Sequence, residues 1–181
     1  GDKVKDKIIE YVPHGLNHDL FRPFSNEEKK NPEYVKFKNE MFKGKEYDFV
    51  LFFNSRNIRR KQIPDTLLAY KLFIDELPKE KAKRCAIMLH TQICDDNGTD
   101  LAAVKEYLFS DDEKYNILFS PGMLNPQQMS YLYNLTDAQI LLTSNEGWGL
   151  ALTEAILCGN VIVANVIGGM QDQMRFVKDK K

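Results

Sequence analysis

Two stretches of the sequence concentrate the residue types that handle phosphate chemistry. The first is Ser144-Asn145-Glu146-Gly147-Trp148-Gly149-Leu150-Ala151-Leu152-Thr153-Glu154-Ala155. Gly147 and Gly149 let backbone approach a ligand where a Cβ would collide. If a helix starts here, the free amides of Gly149, Leu150 and Ala151 form a ready phosphate site at its N-terminus. Glu146 precedes that helix and Glu154 falls in its second turn. One carboxylate then faces a group beyond the phosphate and the other a hydroxyl on the nearer side. Taken alone, the same pattern also fits a tight strand-to-helix turn with two solvated glutamates. The second stretch is Asn54-Ser55-Arg56-Asn57-Ile58-Arg59-Arg60-Lys61, with four cations in six residues. At the carboxyl end of a parallel strand such a cluster suits a diphosphate; elsewhere it is a solvated basic loop.

The elements that must position these stretches read as alternating strands and helices. Residues 47–54 (YDFVLFFN) are a continuously apolar strand. Pro64 and Asp65 open a helix carrying Leu67, Leu68, Tyr70, Leu72, Phe73 and Leu77, closed by Pro78. Residues 85–91 form a second strand, and Thr99 and Asp100 cap a helix running to about Phe109. Residues 115–120 are a third strand, followed by a turn at Ser120-Pro121-Gly122. Pro126 leads into a helix bearing Met129, Leu132, Tyr133 and Leu135. Residues 138–143 are a fourth strand, 149–157 a helix stopped by Gly159, 160–164 a fifth strand, and 170–177 a further helix. Buried strands alternating with helices predict an α/β fold, a doubly wound parallel sheet of Rossmann-like type. Ligands bind such sheets outside the strands' carboxyl ends, which is where both chemical stretches fall. Residues 8–13 are expected to form a short strand, 13–17 a turn, and 32–44 an amphipathic surface helix with Phe37, Met41 and Phe42 on one face.

The chain has 181 residues, 43% of them hydrophobic and 28% charged, with a net charge of −1. This describes a globular protein with no electrostatic call for nucleic acid. The lysines at the two ends (Lys3, Lys5, Lys7 and Lys178, Lys180, Lys181) read as solvated tails. No apolar run reaches the roughly 18 residues a membrane span needs. The N-terminus does not read as a signal peptide, and Gly1 suggests a chain cut from something longer. Cys85 and Cys158 lie in apolar runs and read, with Cys94, as free thiols of a reducing compartment, which places the protein in the cytoplasm. His90 and His18 read as structural or surface residues, and Asp95-Asp96-Asn97-Gly98 as a turn. Without an Asp-x-Asp motif or a histidine cluster, no metal and no cofactor is expected.

In order along the chain, these motifs resemble the C-terminal domain of the two-domain B-fold glycosyltransferases, the retaining group 1 enzymes usually called glycosyltransferase family 4. Val12-Pro13-His14-Gly15-Leu16-Asn17 with Phe21-Arg22-Pro23 resembles the family's P-N-G-V-D…F-x-P. Ser55-Arg56 with Lys61 resembles G-R…K-G. Residues 119–124 with Leu132-Tyr133 resemble F-x-G…L…L-Y. Glu146 through Glu154 is the E-x7-E motif, residues 158–164 resemble C-G-x-P-V-I-A, and Gly168-Gly169 the G-G turn. The chain departs from the pattern at His14, Gln62, Trp148, Asn160 and Asp172, where the family usually has Asn, Gly, Phe, Pro and Glu.

The resemblance implies a donor-binding domain that takes a nucleoside diphosphate sugar and passes the sugar to a saccharide, lipid or protein acceptor. Arg56 and Lys61 would hold the diphosphate and stabilise its developing charge, with Arg59 and Arg60 as spares. Glu146 and the amides around Gly147, Trp148 and Gly149 would contact the donor sugar. Leu150 and Ala151 would belong to the phosphate-binding helix end and Glu154 would bind ribose hydroxyls. Gly122, Met123 and Leu124 would lie beside the base. Retention would follow from the leaving phosphate acting as base, the protein supplying orientation. Residues 1–24 would be an interdomain connecting segment and 25–181 the donor domain, truncated at its C-terminal end. The N-terminal acceptor-binding domain would be absent, the fragment alone inactive, and peripheral membrane contact of the parent left open. Two other readings stay open: a nucleotide-sugar epimerase of the same architecture, and a nucleotide-sugar-binding module without turnover.

Overall fold

A computed structural model describes residues 8, 10–109, 113–120 and 122–174 of the chain. Five parallel strands form one sheet in the order β3-β2-β1-β4-β5. They are β1 (Phe49–Asn54), β2 (Cys85–His90), β3 (Ile117–Phe119), β4 (Ala138–Leu141) and β5 (Val161–Ala164). In register Phe52 faces Met88 on one side of β1 and Gln139 on the other. Adjacent Phe52 and Phe53 point to opposite faces of the sheet, and both are fully buried, so β1 is covered on both sides. That is why its sequence is continuously apolar. β5 is an edge strand, with Val161 and Val163 largely exposed.

Helices α2 (Ile63–Asp75) and α4 (Leu101–Leu108) cover one face through Leu67, Tyr70, Ile74 and Leu101. Helices α1 (Pro32–Phe42), α5 (Pro126–Asn134) and α6 (Leu150–Leu157) cover the other through Phe37, Met41, Leu132, Tyr133 and Ala155. Local sequence sets the helix ends. Asn31 accepts from Glu33 N ahead of Pro32, Asp100 accepts from the amides of Ala102 and Ala103, and Asn125 with Gln128 forms a capping box. The chain runs outward from β1 to β3 and returns through α5 to β4, beside β1. This reversal brings the loops after β1 and β4 together, the position at which doubly wound sheets bind ligands.

The strand expected over residues 8–13 does not form at the described positions. Ile8, Tyr11 and Val12 are exposed, and no sheet edge pairs with them. The turn expected at 13–17 falls later, where Leu20 N and Phe21 N donate to Asn17 O. Pro78 does more than close α2: its carbonyl starts the short α3 (Lys79–Ala82). The last expected helix is described as α7 (Met170–Gln173); its continuation, Pro121 and the terminal lysines lie outside the described residues.

Candidate functional site

The basic loop leaves β1, forms a 3-10 turn at Arg59–Lys61, and enters α2 through Gln62. Gln62 has φ +47°, a left-handed conformation that favours glycine, which accounts for the Gly of the motif it departs from. The loop is fastened on two sides. Toward the β2–α4 loop, buried Asn57 donates to Thr99 O at 2.7 Å and accepts from Thr99 N at 3.1 Å. Arg59 N donates to Asn97 O at 3.0 Å. Toward the β4–α6 loop, Arg60 O accepts from Ser144 N at 2.8 Å and from Thr143 Oγ1 at 3.0 Å.

This fastening brings Lys61 onto Glu146. The Lys61 ammonium donates to Glu146 Oε2, and Arg60 Nη1 reaches the same oxygen at 3.3 Å while also donating to Asn145 O. The side chains of Lys61 and Glu146 are only 8% and 11% exposed. Burial pushes the Glu146 carboxyl up, but the hydrogen bonds and charges of Lys61 and Arg60 outweigh it and hold the group below its usual range. Arg60, expected as a spare, is thus a direct partner of Glu146. Arg59 is exposed.

Gly149, with φ +84°, is the residue before α6. The amides of Leu150 and Ala151 at its start have no intrahelical acceptor, whereas Leu152 N already donates to Gly149 O at 2.9 Å. A Cβ on Gly147 would meet nothing within 4 Å, so that side of the loop is open. The opposite side is closed by Gly168-Gly169. Cβ atoms there would fall 2.1 Å from Glu146 O and 1.7 Å from Gly147 O, and Gly169 N donates to Glu146 O at 3.2 Å. Trp148 Nε1 donates to Thr153 Oγ1 at 2.9 Å, and its ring lies 5.4 Å from that of His14. Asn160, where the motif has proline, donates its backbone N–H to Ala155 O at 2.9 Å, a bond proline could not make.

Glu154 is half-buried and accepts from the Tyr133 hydroxyl at 2.7 Å. Burial pushes its carboxyl up, and that hydrogen bond only partly offsets the shift. Tyr133 accepts in turn from Asn54 Nδ2 at 2.9 Å. Arg56 is mostly exposed and turns toward the β2–α4 loop, where its Nε and Nη2 donate to Asp95 at 2.8 and 3.3 Å. Residues 95–98 do form a turn, closed by Gly98 N to Asp95 O, and its first carboxylate is also the partner of Arg56. An open cleft at the ends of β1, β2 and β3 runs past Arg56, His90, Thr91, Ser120, Gly122 and Met123. His90 Nδ1 lies 2.5 Å from Ser120 Oγ, and burial lowers the pKa of the ring. Met123 is almost fully exposed, while Leu124 packs on the core below.

Lys61, Glu146 and Gly149 therefore adjoin one another, Glu154 opens from the same helix, and Arg56 with Gly122 and Met123 lines the neighbouring cleft. Sequence reasoning gave Arg60 only a spare's place and assigned Asp95, Asn54 and Tyr133 no polar role in the site. Tyr133 carried a signal, a hydroxyl among the apolar residues Met129, Leu132 and Leu135 of its helix. No group of three His, Cys, Asp or Glu among the described residues is disposed to hold a metal ion. Likewise no helix among them is long and apolar enough to cross a membrane.

The family profile described as "Glycosyl transferases group 1" matches residues 36–178. Among solved structures, the chain is similar to the C-terminal domain of a glycosyl transferase group 1 family protein, LpcC, from Francisella tularensis. That match has a TM-score of 0.66 and 15% identity, over 92% of this chain and 77% of that domain. It is similar to Anabaena HepE in complex with UDP and glucose, with a TM-score of 0.61 and 18% identity over 90% of this chain and 39% of that one. The corresponding values for sucrose-phosphate synthase from Thermosynechococcus elongatus are 0.63 and 20%, over 91% and 36%. The chain thus spans well under half of these two longer proteins. At these identities the likeness carries the fold. No curated protein matches the chain in sequence.

Proposed function

The chain belongs to the glycosyl transferases group 1 family, and from that premise we propose that it is the donor-binding domain of a retaining enzyme using a nucleoside diphosphate sugar. One observation carries the reading: Lys61 pairs with Glu146 at the glycine-flanked start of α6, next to Gly147, where a Cβ would meet nothing within 4 Å. A cation beside a helix N-terminus suits the diphosphate and the charge that grows on it as the glycosidic bond breaks. Glu146, already ionised and oriented by Lys61 and Arg60, is suited to accept from sugar hydroxyls. Glu154 is suited to the ribose, and the cleft past Gly122 and Met123 to the base. Arg56, exposed at the mouth of that cleft, supplies a second cation. The leaving phosphate serves as base toward the acceptor, so the protein needs no metal, and its part is orientation and charge stabilisation.

In this reading residues 25–181 make up the donor domain and the whole enzyme includes an acceptor-binding domain outside this sequence. The enzyme is cytoplasmic and the isolated chain binds donor without turnover. UDP is the first ligand to test, because the similar HepE structure contains UDP and glucose. A thermal-shift comparison of uridine, guanosine and adenosine diphosphates at millimolar concentration tests it. A rise in melting temperature with one diphosphate supports the reading, and no shift with any of them rejects it.

A further inference from the structure

The buried Asn54–Tyr133–Glu154 chain ends on the carboxylate just assigned to ribose. Tyr133 is fully buried on α5, its ring edge-on to Phe21 and Phe52 with centroids 6.1 and 5.2 Å away. A ring packed this way has no room to swing, so its hydroxyl is fixed in place. The phenol has one hydrogen to give. With Asn54 Nδ2 donating to its oxygen at 2.9 Å, that hydrogen goes to Glu154 Oε2 at 2.7 Å. A carboxylate held by one oxygen on a rigid donor cannot rotate freely about its last bond, and the other oxygen then points in one direction.

We propose that Tyr133 is a positioning residue for nucleoside binding: by holding Glu154 Oε2 it fixes the direction in which Glu154 offers Oε1 to the vicinal hydroxyls of a ribose. This rests on the reading of Glu154 as the ribose ligand. The groups facing Glu154 are Tyr133 from α5, with Asn54 of β1 behind it, and Cys158 one turn along α6. Burial and the nearby Glu154 push the Cys158 thiol up to about 12, so it stays neutral. Burial drives the Glu154 carboxyl up, and the Tyr133 hydrogen bond opposes it. Removing the hydroxyl therefore moves Glu154 further toward protonation, and a protonated carboxyl loses acceptor capacity.

Calorimetric titration with uridine and with UDP, across about pH 5.5 to 8.5, compares wild type, Tyr133→Phe, Glu154→Ala and the double variant. Tyr133→Phe should weaken both ligands by the same factor, roughly tenfold, and more at the acid end. In the Glu154→Ala background it should change nothing. Equal weakening in both backgrounds would make Tyr133 merely structural and overturn the proposal. So would a Tyr133→Phe protein that binds like wild type while Glu154→Ala binds poorly, and in that case the ribose reading survives. If Glu154→Ala binds uridine as wild type does, the ribose reading itself fails and the proposal with it. Should Tyr133→Phe not fold, Asn54→Ala removes the bond that the hydroxyl accepts, and it is measured in the same two backgrounds. About threefold weakening with Glu154 present and none without it supports the proposal, and wild-type binding overturns it.

Discussion

Lys61 and Glu146, 85 residues apart in sequence, form a nearly buried ion pair between the loops that follow β1 and β4. Removing one partner of such a pair leaves a charge buried, which costs more than the pair contributes. Lys61→Ala should therefore destabilise the fold by about 3 kcal/mol, the low end of the usual range, because Arg60 remains 3.3 Å from the same oxygen. Adding Glu146→Gln should restore part of the loss, since a neutral amide needs no counter-charge. Urea denaturation of the single and double variants checks this, and a double variant less stable than Lys61→Ala would contradict it.

The glycines around Glu146 should respond in opposite ways. Gly169 has φ −66°, so alanine there is not strained by its backbone angles, but its Cβ would lie 1.7 Å from Gly147 O. Two backbone segments must separate, and Gly169→Ala should cost about 2–3 kcal/mol. A Cβ on Gly147 meets nothing within 4 Å. Gly147→Ala should change stability by less than about 0.5 kcal/mol yet weaken UDP binding, because the new methyl occupies the open side. Melting curves and UDP titrations of both variants separate the cases.

The two glutamates should also titrate in opposite senses. Glu146 is held below its ordinary value of 4.5, so the stability it contributes is present above that value and is lost as pH falls through the lower folded one. Glu154 is held above 4.5, chiefly by burial, so the folded state keeps its proton longer than the unfolded. Its contribution is fully present below 4.5 and declines as pH rises through the folded value. Relative to wild type, Glu154→Gln should be more stable at about pH 8 than at about pH 4, and Glu146→Gln less so. Urea midpoints at the two pH values decide, and an unchanged difference for either variant would contradict the assignment.

Thiol chemistry reports on the core. Cys85 and Cys158 are buried with raised thiol pKa values, chiefly through burial, whereas Cys94 is exposed beside Asp95. Native labelling with a maleimide should modify Cys94 and spare the other two until denaturant is added. Mass spectrometry of the labelled peptides reads the outcome.

Much of the frame is legible in the sequence because it rests on local rules. The runs at Phe49–Asn54 and Cys85–His90 are too apolar for anything but buried strands, and Asp100 and Pro126 announce their helices. Glu146, Gly149 and Glu154 are legible as one motif because they lie in one turn and the helix after it. The partners are not legible, because they depend on which loops the sheet order brings together. Arg56 finds Asp95 only because β2 lies beside β1, and Lys61 and Arg60 find Glu146 only because β4 lies on its other side. Within Arg59-Arg60-Lys61 the sequence offers no means of choosing. The 3-10 turn selects, burying Lys61 against Glu146, leaving Arg60 exposed but within reach of Asn145 O and Glu146, and giving the exposed Arg59 neither partner. The segment at residues 8–13 has strand-like composition, yet at its described positions it pairs with neither edge strand, β3 or β5, and pairing is a property of the sheet.

The most direct measurement of the diphosphate site is calorimetric titration of uridine and of UDP into wild type and Lys61→Ala, at a temperature where both are folded. Lys61 should meet only the diphosphate, so the variant should bind uridine as wild type does and lose one to two decades of UDP affinity. A lost hydrogen bond to a charged partner costs about 1.5–3 kcal/mol, which corresponds to that range. Equal losses for uridine and UDP would mean that Lys61 serves only to hold Glu146, and would contradict the placement of the diphosphate beside it.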